Sequence, residues 1–304
     1  MKHLITLALT SALVATAPAF AEEPKERAKR ITEAFKGHAA TRTVEIDNAT
    51  YAAILGKYVS QTDAGVNAFD YAGVSDDDRG KLKSYIEQLT AINPTKLTEE
   101  QKIAYWSNLY NAVTLDVVLD AMPVESIKEI ELRDTTQVFE DEGFVEAVKV
   151  VFTDNGPWDA KVVTVNGTAL SLNNMEHLIL RKMGEPRIHY SINCASYGCP
   201  DLRKTPWTAD TLDGELDKAA VAYINHPRGL HRTDDDKLVV SSIFNWFQAD
   251  FGGSEQDVIL HLRKYARDAA KVAVENASAI DDYEYNWRLN SPDGIAEVAK
   301  EKAG

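Results

Sequence analysis

Lys161-Val162-Val163-Thr164-Val165-Asn166-Gly167-Thr168-Ala169-Leu170 is the stretch on which the fold turns. Two runs of strand-forming residues flank Asn-Gly, the strongest short-range hairpin signal, because a two-residue turn of this kind needs positive φ at its centre. The hairpin marks a change of period. Before it, apolar residues recur with helical spacing. After it, helices alternate with short strands.

Upstream, Tyr51, Ile54, Leu55, Tyr58 and Val59 make a helical stripe over 50–59. Residues 65–74 read as loop and short strand. Residues 77–92 form a second helix on Leu82, Tyr85, Ile86 and Leu89. Thr98-Glu99-Glu100-Gln101 is a capping box opening a third, with its stripe on Ile103, Trp106, Tyr110, Val113 and Val117. It ends by Met122, ahead of Pro123.

Downstream, Ser171 caps a helix running to Met183, with Gly184 and Pro186 as its stop. Residues 187–193 alternate, Ile188, Tyr190 and Ile192 against His189, Ser191 and Asn193, and predict a strand. A loop over 195–206 leads to a helix at 211–225. Residues 229–232 and 238–241 flank Asp234-Asp235-Asp236 as a second hairpin. A short aromatic helix spans 243–251, and Ser254 caps another. Residues 283–290 alternate as a final strand, expected in one sheet with 187–193, and the charged tail 291–304 is expected to be loose. Helices first and hairpins afterwards predict an α+β fold with a helical N-terminal half and a small antiparallel sheet.

The N-terminus has the order of a signal peptide: basic Lys2 and His3, an apolar run from Leu4 to Ala15, and Ala19-Phe20-Ala21 for cleavage. The expectation is export of a chain of roughly 280 residues, to the periplasm or medium, as one domain over 22–290. The apolar run is shorter than the ~20 residues of a membrane span, and none is expected after cleavage. The formal charge of −14 disfavours nucleic acid and anionic lipid. The cluster Lys25 to Arg30 reads as one solvated helix face. The expected partner is an envelope substrate or ligand.

Two cysteines, Cys194 and Cys199, are the whole complement. With Glu176, His177, His189 and Asn193 they concentrate reactive groups in a short span. One reading is thiol chemistry, in which His189 or His177 activates a cysteine for hydrolysis or group transfer. Extended backbone would hold His189 and Cys194 ~16 Å apart, so that pair needs a bend. The other reading is a Cys194–Cys199 disulfide shaping a loop in a non-enzymatic binding domain, worth ~2 kcal/mol by loop closure. The spacing is not that of a C-x-x-C redox pair. His177, His189 and the thiols are competent zinc ligands, but no metal-binding spacing supports them, and no metal or cofactor is expected. Asn108 and Asn111, beside the stripe of the third helix, need partners if buried. They are read as a core network or as support for a catalytic histidine. The aromatic run 243–251, with Trp158, Trp207 and Trp287, reads as core, with a sugar- or peptide-binding platform as the alternative.

Four blocks carry a resemblance to the family called domain of unknown function 547. They are the Tyr105-Trp106-x-Asn108-x-Tyr110-Asn111-Ala112 helix; Ser171-Leu172 through Glu176-His177 and Leu180-Arg181; Pro186 to Tyr190 through Asn193-Cys194-Ala195-Ser196 and Cys199-Pro200; and Ser242 to Phe244, Trp246-Phe247, Asp250-Phe251, Tyr285, Trp287 and Leu289-Asn290. Together they span roughly 98–290. Ser107, where an apolar residue is usual, and Asn286, where Asp is usual, depart from the pattern. The resemblance implies a papain-like or transglutaminase-like thiol fold. The coiled-coil extension of eukaryotic relatives has no counterpart here.

Overall fold

A computed structural model of the protein describes residues 23–36, 40, 43–131 and 157–303. The expected signal peptide lies outside the described residues. The N-terminal half is helical: α1 (Pro24–Phe35), α2 (Ala49–Tyr58), α3 (Asp76–Thr90) and α4 (Glu99–Ala121). The capping box of α4 forms as expected, with the Thr98 side chain accepting from Gln101 N–H. Buried residues of α4 cover nearly its whole circumference from Ala104 to Leu115, which makes it the central helix. Between α2 and α3, β1 (Val59–Gln61) pairs antiparallel with β2 (Asn67–Phe69).

The Asn166-Gly167 hairpin is present. β3 (Val163–Val165) pairs with β4 (Thr168–Leu170), and the two turn residues sit at φ 48° and 74°. The segment expected as one helix from Ser171 to Met183 is wound unevenly. A π-helix covers Asn174–Leu180 and a 3₁₀ turn covers Arg181–Met183, closed by left-handed Gly184. π-winding widens the turn and shifts side chains round the axis relative to α spacing.

The strand expected over 187–193 does not form. Residues Pro186–Tyr190 are a 3₁₀ helix, and Ser191 N–H donates to the Ile188 carbonyl. Alternation misled because both sets of side chains are buried. Ile188 and Ile192 enter one apolar cluster, Tyr190 enters a second, and His189, Ser191 and Asn193 find partners inside. Pro186 and the Glu185 side chain, which accepts from Arg187 N–H, start the turn.

Next come α5 (Leu212–Ile224), β5 (Leu230–Arg232), β6 (Leu238–Ser241), α6 (Ile243–Trp246) with a 3₁₀ turn at Gln248–Phe251, α7 (Glu255–Tyr265) and α8 (Asp268–Glu275). The second hairpin, β5–β6, is antiparallel as expected. However, β7 (Asp282–Glu284) joins β6 in parallel, so this three-stranded sheet is mixed. Strand pairing stops at Glu284, and the segment to Asn290 runs as a strap against the cysteine loop through a bridge between Ser196 and Leu289. The tail is not loose. It forms α9 (Pro292–Ala303), which buries Ile295 and Val298 against Val66, Ala68 and Tyr197. The fold is α+β, and among the described residues no helix is long and apolar enough to cross a membrane.

Candidate functional site

The turn at 186–193 lies where the two large apolar clusters meet, and so does a cavity of about 40 Å³. That is room for about three water-sized groups. Cys194 and Cys199 form part of its wall, with Glu176, His189 and Tyr110, and with Trp246, Tyr285 and Trp287 on the aromatic side.

Asparagines build the frame behind it. Asn111, buried in α4, donates to the Ser191 carbonyl at 2.9 Å and accepts from Asn193 N–H at 2.8 Å. Asn108 makes the same two-way bond with the Trp207 backbone, both contacts at 2.9 Å. These amides act as peptide surrogates that satisfy loop backbone where no regular structure can. Ser107 bonds a side chain instead, its hydroxyl 2.7 Å from that of Ser191, which accounts for a polar residue at that position. Asn193 closes the cysteine loop, donating to the Pro200 carbonyl and accepting from Ala195 N–H, each at 2.8 Å. It thereby holds Ala195 at φ 61°, a conformation that costs a side-chain-bearing residue ~1–2 kcal/mol. Asn108, Asn111 and Asn193 thus bond backbone, and none of them lines the cavity.

The cysteines are joined as a disulfide, with Cα atoms 6.4 Å apart. The bond is surrounded by donors. Tyr285 Oη lies 3.1 Å from Cys194 Sγ and 3.0 Å from Cys199 Sγ. Ser196 Oγ is 3.4 Å from each sulfur, and Cys194 N–H donates to Cys199 Sγ at 3.0 Å. Cys199 is buried, while Cys194 is partly exposed. Gly198 permits the tyrosine's approach, since a Cβ there would lie 2.9 Å from two Tyr285 ring atoms. No histidine bonds either sulfur among the described residues.

His189 is fixed on two sides. Its ring stacks on Phe247 with centroids 4.1 Å apart, and its Nε2 is 2.8 Å from Asp250 Oδ2. Arg181 grips the same carboxylate through Nε at 2.5 Å and Nη2 at 3.0 Å. Burial alone would raise the Asp250 pKa, but hydrogen bonds from His189 and Arg181 outweigh it and hold the group well below the usual carboxylate range. Burial pushes His189 down against the pull of Asp250, so the imidazole is neutral. A neutral ring beside a carboxylate places its proton on Nε2 and leaves Nδ1 as a base. Among the described residues Nδ1 makes no hydrogen bond.

Glu176 comes from the π-helix, and its one hydrogen bond among the described residues is a long 3.4 Å contact from Tyr110. Burial raises its pKa to about 7, with the nearby Arg181 opposing. His177 is not part of the lining. Its Nδ1 is 3.2 Å from Arg181 Nη1, and burial, then Arg181, drive its pKa well below normal. Of the residues expected at the site, Cys194, Cys199, His189 and Glu176 come together. Asp250, Arg181, Tyr285 and Ser196 were not singled out on chemical grounds, although all four stand in the motif blocks.

No curated protein and no solved structure matches the chain. Residues 94–224 match the model of a family described as "Protein of unknown function, DUF547", a stretch that holds α4, the π-helix, the 186–193 turn and both cysteines. By that match, residues 94–224 are a DUF547-family region.

Proposed function

We propose that this is an exported, cysteine-dependent acyl-transfer enzyme, hydrolase or transferase, of the cell envelope, with Cys194 as nucleophile. The observation that carries it is the His189–Asp250 pair. The ring's far nitrogen is held on a carboxylate, and its bare nitrogen belongs to a residue on the same cavity wall as Cys194. A nucleophile beside a base oriented by a third group is the arrangement that thiol catalysis requires. It is also the arrangement implied by a papain-like or transglutaminase-like fold. The Lys2–Ala21 segment supports export.

Chemistry begins from the reduced form, in which Cys194 Sγ is free to turn about χ1. His189 Nδ1 takes the thiol proton, and the thiolate adds to a carbonyl carbon. The imidazolium returns the proton to the leaving group, and water or an acceptor then removes the acyl group from sulfur. Glu176, protonated below about pH 7, is the donor available to the developing oxyanion. Arg181 keeps Asp250 ionised and aligned, which preserves the His189 tautomer.

The test is acylation of the reduced protein by an activated ester such as p-nitrophenyl acetate. A burst of one equivalent on Cys194 is expected, slowed ~10²–10⁴-fold by His189→Ala. If Cys194 reacts no faster than in the unfolded chain, the reading is refuted. The cavity then fits the non-enzymatic alternative, a binding pocket shaped by the disulfide and walled by Trp246, Tyr285 and Trp287.

A further inference from the structure

We propose that the Cys194–Cys199 pair is also a thiol–disulfide exchange centre, which oxidises dithiols by cycling between bonded and reduced forms in the same cavity. This activity shares the cavity of the proposed acyl transfer and does not rest on it. Its evidence is the surroundings of the sulfurs and the bracing of the loop.

A purely structural disulfide gains little from hydrogen-bond donors, because a neutral sulfur is a weak acceptor. A thiolate needs them. Here the Cys194 amide nitrogen and the Tyr285 and Ser196 hydroxyl oxygens lie within 3.4 Å of the sulfurs, and the two hydroxyls, 2.8 Å apart, share one of their hydrogens and can turn the other to sulfur. All three donors reach Cys199, the buried sulfur. Both cysteines line the cavity, and Cys194 is the more exposed residue of the two. This is the division of labour that exchange requires: one sulfur open to attack, and the other able to leave as a stabilised thiolate.

The bond is also redundant as a brace. Asn193 spans the loop from Ala195 N–H to the Pro200 carbonyl. The strap ties it from outside, with Tyr197 N–H donating to the Arg288 carbonyl at 2.7 Å, Gly198 N–H to Asn286 at 2.8 Å, and Asn290 N–H to Ala195 at 3.0 Å. None of these contacts involves sulfur, so the loop keeps its shape when the disulfide opens.

The step balances as follows. One thiolate of an external dithiol attacks Cys194 Sγ. The Cys194–Cys199 bond breaks, a mixed disulfide forms on Cys194, and the electron pair leaves on Cys199 Sγ among its donors. The second thiol of the dithiol, on losing its proton, attacks the mixed disulfide and releases Cys194. The substrate leaves as a disulfide, and its two electrons and two protons end on Cys194 and Cys199.

The experiment equilibrates the full mature protein in glutathione mixtures and counts free thiols by alkylation and mass. Half-reduction is expected at a glutathione ratio that leaves a structural disulfide oxidised. Tyr285→Phe should shift the equilibrium about tenfold toward the bonded form, equivalent to about 30 mV. Ser196→Ala should shift it in the same direction by less, and it serves if the tyrosine variant does not fold. With Cys199→Ser, the glutathione adduct should map to Cys194. Persistence of the disulfide at every ratio, or midpoints unmoved by both hydroxyl deletions, overturns the proposal. Reduction without ester acylation of Cys194 removes acyl transfer and leaves exchange standing. Acylation by protein whose disulfide glutathione cannot open does the reverse.

Discussion

Replacing Glu176 by Gln should remove a loss of stability that sets in as pH rises toward 8. The carboxyl is buried with one weak hydrogen bond, and its pKa rises from 4.5 to about 7 on folding. A carboxyl with a raised native pKa binds its proton more tightly when folded. Its contribution is therefore fully present below the unfolded value and is lost as pH climbs through the native one. The gap corresponds to about 3 kcal/mol, of which about 2.5 kcal/mol is lost between pH 5 and pH 8. Glutamine fills the same volume and does not titrate. Urea unfolding of both proteins, followed by tryptophan fluorescence across that range, isolates the term. The lowered histidines, His177, His189 and His261, are common to both and cancel to first order. The variant should be near wild-type stability at pH 5 and about 2–3 kcal/mol more stable at pH 8. Parallel curves would show that Glu176 is not the buried, poised acid described, and the oxyanion role assigned to it would fall as well.

Two further outcomes follow from the frame of the site. Gly198→Ala places a Cβ against the Tyr285 ring and 3.0 Å from Asn286 N; it should lower stability by about 1–3 kcal/mol in thermal unfolding and drive Tyr285 off the sulfurs. Asn111→Ala strands the Asn193 amide in the interior and leaves the Ser191 carbonyl to the Trp207 indole N–H; it should cost about 1–3 kcal/mol in urea unfolding, whereas an effect under 0.5 kcal/mol would mean that water replaces the amide.

Local signals were legible where local physics decides. The Asn166-Gly167 turn, the Thr98 capping box and the Gly184 stop each depend on a few neighbouring residues, and each is present. The 187–193 turn was misread because period-2 alternation assumes one wet face, whereas this segment lies between two cores. The α9 tail was misread because its buried partners, Val66 and Ala68, lie more than 200 residues upstream. At the site, spacing along the chain pointed to the cysteines and to His189, which are close in sequence. It could not pair His189 with Asp250, 61 residues away, or the sulfurs with Tyr285. The π-winding that carries Glu176 also breaks the helical register by which its face would be inferred.

The strap from Tyr285 to Asn290 has a consequence for the order of events in the life of the chain. Tyr110 is made early and Tyr285 and Trp287 almost last, yet all three wall one cavity. Until the last few dozen residues arrive, the cysteines have no tyrosine over them and no outer edge to their loop. A chain that emerges from a translocation channel N-terminus first would therefore pass the stretch from Cys199 to Tyr285 with two unassisted thiols. Docking of 285–290 is then the moment at which the wall of the cavity is completed. A chain ending at Glu284 should lack the tyrosine over the sulfurs and the outer edge of their loop.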